Sequence, residues 1–240
     1  MSPMKKKSLQ GIFAFALLAQ ASSFAAADGM QPETTVIVLN EADGETSINI
    51  KNTDVGPALL YSSIHNIPED AAPLVLLTPP VVRVEGGKTQ LVRFLLESKE
   101  PLKTERLKRV YFEGIPENKD LGSAHVSVTV RQDIPIILHP KGLPKNAEPW
   151  KLLKWEIAGT DLVLRNDSPY VVRLAQQVLL QPQGTVVPLP RTYVLPGATF
   201  KLPLPAGTPT PEAIRLFPAT VYGFTVRSYD APLAAAVKTD

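Results

Sequence analysis

The sequence predicts an all-β protein composed of two β-sandwich domains, and three observations lead to this prediction. Short segments in which apolar and polar residues alternate follow one another from Thr34 onward, which is the periodicity of strands. The chain has 24 prolines and 14 glycines and no convincing helical pattern, which favours short strands separated by turns. The strand pattern stops at a proline-rich segment, residues 140–149, and then begins again, which indicates a joint between domains.

Residues 1–27 are predicted to be a signal peptide. Lys5, Lys6 and Lys7 precede the apolar segment GIFAFALLA, and small residues at Ala25 and Ala27 predict cleavage before Asp28. The alternative is an N-terminal membrane anchor, but the apolar run is shorter than the ~20 residues that a spanning helix needs. We therefore expect a soluble mature chain that is exported.

The composition argues against several classes of function. The chain contains no cysteine, so disulfides and thiol catalysis are absent. A net charge of +2 gives no general nucleic-acid footprint. His65, His125 and His139 do not have metal-ligand spacing, and no nucleophile elbow or phosphate-binding loop is present. We expect neither an enzyme nor a cofactor or metal site.

The first domain is predicted to span residues 28–143 and to contain about seven or eight strands. Turn residues such as NEADG and NTDVGP separate the predicted strands. These segments are TTVIVL, ETSINIK, ALLYSSIH, PLVLLTPP, VVRVEGGKTQLVRFLL, RVYFEGIP and HVSVTVRQDIPIILHP.

The last of these segments, residues 125–140, combines an apolar stripe with a proline. Val126, Val128 and Val130 alternate with polar residues, which predicts a strand with one apolar face. Pro135 then interrupts the run, and because proline cannot donate to a sheet ladder, the strand is predicted to lie at a sheet edge. The pattern alone leaves open whether the valines face the core of their own domain or bind a partner.

The second domain is predicted to span residues 144–240. The turn signals NDSP and LPGAT separate its strands, and the tail APLAAAVKTD is expected to be loose. The predicted strand segments are LLKWEIAG, DLVLRND, YVVRLAQQVLLQ, TVVPLPRTYVL, ATFKLPLP and PATVYGFTVRSYD.

Four motifs in order resemble those of the periplasmic pilus-assembly chaperones of the chaperone–usher pathway. They are LLTPPVVRVEGGKTQLVRFL, LKTERLKRVYFEGIPE, the valine-striped strand ending in HPKGL, and LVLRNDSPYVVRLA. The resemblance covers nearly the whole mature chain. It implies two immunoglobulin-like domains set at an angle, with a cleft between them.

The resemblance also implies a function. Chaperones of this family cap pilus subunits, whose immunoglobulin-like fold lacks a strand, by donating a strand of their own, and they deliver the subunits to an outer-membrane usher. Val126, Val128 and Val130 align with the side chains that the family inserts into the subunit. A self-capping dimer that hides the exposed edge is a further expectation.

The chain departs from the family where the subunit's terminal carboxylate is bound. The family's arginine and lysine are replaced by Val36 and Pro135, so the resemblance leaves the anchor open. We favour Lys141 over Arg131, and the alternatives are that main-chain amides alone hold the terminus or that it is not held. His139 replaces an arginine that joins an inter-domain ion pair, whereas Glu105 matches the acidic partner of that arginine. We therefore expect Glu105 and His139 at the domain contact.

A different function is compatible with the same fold and signal peptide. An exported immunoglobulin-like adhesin or structural binding module shares both features, but it does not need the motifs around Thr78–Pro80, Glu105 and Ile115–Pro116. Co-purification with a pilus subunit distinguishes the two functions.

Overall fold

The computed structural model describes residues 29–117, 129–220 and 226–234. Within these ranges the regular structure consists of strands and one 3₁₀ turn, Pro149–Leu152, which confirms the all-β prediction. The predicted signal peptide and two of the three predicted donor residues, Val126 and Val128, lie outside the described residues.

The first half of the chain forms strands β1 to β9, and these make two sheets. Their bounds are Met30–Pro32, Ile37–Asn40, Glu45–Asn52, Ala58–Asn66, Val75–Thr78, Val81–Val84, Thr89–Leu96, Arg106–Pro116 and Arg131–His139. One sheet has the order β1-β3-β7-β5, and the other has the order β2-β9-β8-β4-β6. The pairing is antiparallel except between β2 and β9, which run parallel.

Alternating side chains from both sheets fill the space between them. Ile50 of β3 and Phe94 of β7 face Leu60 of β4 and Phe112 of β8, and all four are fully buried. Their exposed neighbours along each strand make the other sheet faces. A sandwich is the packing that lets two half-apolar sheets bury their apolar faces together.

The second half repeats this architecture with strands β10 to β18. Their bounds are Lys154–Ala158, Asp161–Arg165, Val172–Arg173, Gln177–Gln181, Thr185–Pro188, Tyr193–Val194, Thr199–Pro203, Ala213–Leu216 and Tyr229–Pro232. They form the sheets β10-β11-β16 and β14-β13-β17-β18 and the pair β12-β15. Trp155, Leu164, Val178 and Ile214 lie in the core between them.

The structure corrects the sequence prediction in four places of the second half, one of which is the division of the predicted strand TVVPLPRTYVL into β14 and β15. Strand β17 was not predicted, because its four residues lie between Pro211 and Pro218 and are too short to show a period. The predicted strand YVVRLAQQVLLQ divides into β12 and β13. The tail is not loose at its start, since Ala231 of β18 pairs with Ile214 of β17 and is buried.

The two halves meet through a small apolar cluster. Val36, Ile67, Leu107 and Ile137 of the first half pack with Val171 of the second. These five side chains are buried although they belong to neither sandwich core. The cluster therefore holds the two immunoglobulin-like sandwiches against each other, and the cavities of the inter-domain cleft lie beside it.

Candidate functional site

Strand β9 has two different edges along its length. It pairs with β8 from Arg131 to Leu138, but on its other side β2 pairs only with Ile136–His139. Among the described residues, Arg131–Pro135 therefore has a hydrogen-bonded neighbour on one side only. The predicted edge strand is correct for this part and wrong for the rest, because Pro135 lies where β2 begins.

Val130 lies immediately before β9 and is 45% exposed. It has the same parity as Ile134 and Ile136, whose side chains are in the core of the first sandwich. The face of β9 that carries Ile134 and Ile136 therefore continues through half-buried Gln132 to Val130, beyond the residues that the sandwich covers. Such a side chain is available to a partner rather than to the chain's own core.

Glu105 joins the two domains through both its main chain and its carboxylate. Its N–H donates to the carbonyl of Pro169 at 2.8 Å, and its Oε2 accepts from the N–H of Val171 at 2.8 Å. Its Oε1 lies 2.8 Å from Nδ1 of His139, and Nε2 of His139 lies 2.8 Å from the carbonyl of Leu143. Gly142, with a φ of 84°, turns the chain so that this carbonyl returns to the ring.

This geometry places a proton between Glu105 and His139. Nε2 must donate, because the carbonyl of Leu143 can only accept. Nδ1 then either donates to the carboxylate from an imidazolium or accepts from a protonated carboxyl. Burial raises the pKa of Glu105 above its ordinary value of 4.5, although the hydrogen bonds from His139 and Val171 oppose the shift.

Val36 and Pro135, which occupy the family's anchor positions, hold no cation but lie beside the cleft. Val36 is buried in the inter-domain cluster. Pro135 lines a cavity of about 410 Å³ whose walls come from both domains. In the pairing of β8 with β9, Arg109 lies directly opposite Pro135, so the side chain of Arg109 is adjacent to the position where the family has its lysine.

Two arginines face this cavity, and sequence reasoning missed both. Arg109 comes from β8 and Arg173 from β12 of the second domain. Nε of Arg109 donates to Asp133, whereas Nη1 of Arg173 is buried without a hydrogen-bond partner among the described residues. Arg173 is the lone charge in the apolar segment YVVRLA, and this was the signal available in the sequence.

The two anchors predicted from the sequence lie elsewhere. Arg131 is exposed at the start of β9, where its Nη2 lies 3.0 Å from Oε2 of Glu113. Lys141 is exposed beyond the end of β9, and its main-chain N–H donates to Glu41. Neither residue lines the cavity that contains Arg173.

A fully buried lysine lies in the same sheet. Nζ of Lys108 is 2.9 Å from Oδ1 of Asp70 and donates to the carbonyl of Asp70 at 2.7 Å. Nε of Arg106 also donates to Asp70, at 2.7 Å. Burial alone raises the pKa of the Asp70 carboxyl, but the hydrogen bonds from Arg106 and Lys108 outweigh it and lower the pKa below 3.8.

The described part of the chain shows neither a metal centre nor a membrane helix. No group of three or more histidine, cysteine, aspartate or glutamate side chains in it could hold a metal ion. No helix in it is long and apolar enough to cross a membrane. The candidate site is the surface made of the open edge of β9 and the cleft that this edge leads to.

The sequence matches one chaperone family along most of its length. Residues 29–144 match the PapD N-terminal domain of pili and flagellar-assembly chaperones, and residues 148–227 match the C-terminal domain of the pili assembly chaperone PapD. The fimbrial chaperone YhcA of Escherichia coli K12, itself uncharacterised, is 45% identical over 204 residues, which are 85% of this chain and 90% of that protein.

Solved structures show the same fold. The E. coli chaperone DraB has a TM-score of 0.70 at 24% identity, covering 86% of this chain and 99% of that chain. The SafB chaperone of Salmonella enterica, solved in complex with the SafA pilin, has a TM-score of 0.71 at 20% identity and covers 87% and 98%. With two sandwiches, an open strand edge and these matches, the chain belongs to the family of pili assembly chaperones, which is a family of chaperones and not of enzymes.

Proposed function

We propose that this protein caps a pilus subunit by donating the strand that leads into β9. The subunit adds to the open edge of β9 by main-chain hydrogen bonds, and Val126, Val128 and Val130 fill its apolar groove. The relationship to YhcA at 45% identity supports the chaperone function. The SafB structure, which contains a pilin, supports a subunit as the partner.

The observation that carries the proposal is the position of Val130. It lies on the core-facing side of β9, beyond Gln132 and past the core, and is exposed, next to a strand edge that β2 leaves open. Burying a valine-sized side chain contributes roughly 1.5–3 kcal/mol. Three valines and a ladder of hydrogen bonds therefore hold a subunit firmly and still allow it to be displaced.

Substitution of a donor valine by aspartate tests the proposal. Val128→Asp and Val130→Asp each place a charge where the subunit supplies an apolar groove, and an unpaired buried charge is costly. We expect each variant to fold and to lose capture of a subunit that is co-expressed in the periplasm. Co-purification and the thermal unfolding temperature, Tm, are the measurements.

Val186→Asp is the matched control. Val186 is 51% exposed on β14 of the second domain and lies away from β9. We expect this variant to capture the subunit normally. Unfolding of the Val130→Asp protein contradicts the donor role, because it means that Val130 serves the chain's own core, and normal capture contradicts it as well.

The setting of this function follows the family. We propose that residues 1–27 are removed on export, that the mature chain acts in the periplasm, and that it delivers subunits to an outer-membrane usher. We also propose that the free protein covers the open edge with a second copy of the chain, because an exposed strand edge favours such pairing. Sedimentation of the free and the subunit-bound protein tests this dimer.

A further inference from the structure

The inter-domain cavity beside Pro135 is lined by polar as well as apolar residues and contains three charged side chains. Leu107 and Pro135 of the first domain and Leu174 and Phe217 of the second contribute apolar walls. The charged groups are Arg109, Asp133 and Arg173. Because Asp133 pairs with Arg109, the charges of these three groups leave an excess of one positive charge.

That excess lies on Arg173. Its Nη1 is buried and has no hydrogen-bond partner among the residues that the structure describes, and no ion pair of Arg173 is found there. Burial, followed by repulsion from Arg109, lowers the pKa of the guanidinium. A buried donor without a partner is costly, so the free protein holds this group in a state that an anion stabilises.

The open edge of β9 beside the cavity determines which end of a bound strand reaches the cavity. A guest strand on Arg131–Pro135 must stop before Ile136, because β2 occupies the same edge from Ile37 opposite Ile136 onward. One end of the guest therefore lies beside Pro135, which lines the cavity. A guest parallel to β9 presents its carboxyl end there, whereas an antiparallel guest presents its amino end.

The charges decide between these two directions. An ammonium group is repelled by Arg173 and Arg109, whereas a carboxylate is attracted and fits the planar fork of a guanidinium in two parallel hydrogen bonds. The partial burial of Arg173 strengthens the attraction, because fewer water molecules screen it than at an exposed site.

We propose that Arg173, assisted by Arg109, binds the C-terminal carboxylate of the guest strand. The inference rests on the proposed function, because it takes the guest to be a pilus subunit. It assigns the anchor to a residue of the second domain. Val36 and Pro135 cannot provide this anchor, because neither carries a positive charge. The guest consequently runs parallel to β9, and both domains hold it.

A comparison of two forms of one guest tests the assignment. The probe is the pilus subunit that the chaperone captures on co-expression, refolded with the chaperone and carrying either its native carboxylate or a C-terminal amide. We expect Arg173→Gln to weaken binding of the carboxylate form at least 10-fold and to leave binding of the amide form as it is in the unsubstituted protein. The Tm of the free variant should equal or exceed that of the unsubstituted protein, because the buried unpartnered charge is gone.

Arg215→Gln is the control, since Arg215 pairs with Asp230 at 2.7 Å on β17 and lies outside the cavity. It should bind both forms normally. If Arg173→Gln weakens binding of both forms of the subunit equally, the terminal carboxylate is not the ligand of Arg173. If it weakens binding of neither form, the assignment is also overturned. A lower Tm or loss of fold also overturns the inference, because the guanidinium then serves the free protein. Loss of capture in Val128→Asp together with unchanged binding in Arg173→Gln refutes the anchor and leaves the proposed function standing.

Discussion

Lys108 and Arg173 are two cations that each have a buried nitrogen atom, and the surroundings of these nitrogens differ completely. Lys108 is 0% exposed, and its ammonium group contacts both the carboxylate and the carbonyl of Asp70. Arg173 has a buried nitrogen for which the described part of the chain provides no acceptor. A buried charge with a full set of partners belongs to the fold, whereas one without them indicates a ligand.

The domain contact at Glu105 shows the same difference between groups that have partners and groups that lack them. At Glu105 both carboxylate oxygens and the main-chain N–H have partners, so this contact is complete without any ligand. The cavity at Arg173 lies between the same two domains and is incomplete. Loss of the charge at Asp70 or of the hydrogen bonds at Glu105 should therefore damage the fold, whereas loss of the charge at Arg173 should not.

The largest effect is expected for Asp70→Asn. This change keeps the shape of the side chain but removes the charge that compensates buried Lys108 and half-buried Arg106. Breaking a buried ion pair on one side costs about 3–5 kcal/mol of unfolding free energy. Urea unfolding at neutral pH measures it.

The double variant Asp70→Asn/Lys108→Met is the control, because it removes the stranded cation together with its partner. We expect it to regain most of the lost stability, since replacing a whole buried pair by apolar groups is often neutral. A single variant as stable as the unsubstituted protein contradicts the structural role of the pair.

The second-largest loss of stability is expected for variants of Glu105. The contribution of Glu105 to stability should also depend on pH. Glu105→Ala leaves the Val171 N–H and the His139 ring without partners, at about 1–3 kcal/mol for each unsatisfied group. Glu105→Gln keeps both contacts, because its carbonyl accepts from Val171 and its amide donates to Nδ1 of a neutral ring. Because the pKa of Glu105 is raised above 4.5 in the folded state, its contribution to stability is complete below that value and declines as the pH rises through the folded pKa.

Urea unfolding between pH 4 and pH 8 checks the sign. The unsubstituted protein should lose stability over the lower part of this range relative to Glu105→Gln, which has no carboxyl group to titrate. If the unfolding free energies of the two proteins change in parallel with pH, the raised pKa of Glu105 is contradicted. Asp70 should give the opposite slope, since its pKa is lowered and its contribution is lost as the pH falls below about 4.

The sequence predicted the sheets better than it predicted the buried charges. Strands such as β3 and β7 were predictable because their alternation is local and glycine-containing turns bound them. The partner of Lys108 is Asp70, 38 residues away, and LKRVYF shows only a charged surface segment. Such pairs depend on how strands meet across the sheet, and this information is not local.

The residues of the candidate site also divide into those that local motifs predict and those that only the fold brings together. The contact between Glu105 and His139 could be predicted from motifs, because each residue belongs to a motif with a fixed local spacing. The donor role of the valine stripe stays a prediction, since Val126 and Val128 lie outside the described residues. Arg109 and Arg173 converge only after β8 pairs with β9 and the two domains pack together. Arg173 was overlooked because a lone charge in an apolar strand has no fixed meaning before the fold is known.

The smallest effects are expected for Arg131→Gln and Lys141→Gln, which remove the anchors predicted from the sequence. Arg131 already pairs with Glu113 and its side chain is 58% exposed, and Lys141 is exposed beyond the strand. An exposed ion pair contributes about 0.2–1 kcal/mol, so subunit binding should weaken less than about fivefold. Binding measured at about 0.1 M and 1 M NaCl sharpens the test, because salt screens exposed charges and acts much less on a buried pair. The effect of Arg173→Gln should persist at high salt, whereas a salt-resistant loss of 10-fold or more in Lys141→Gln or Arg131→Gln supports the sequence-based anchor instead.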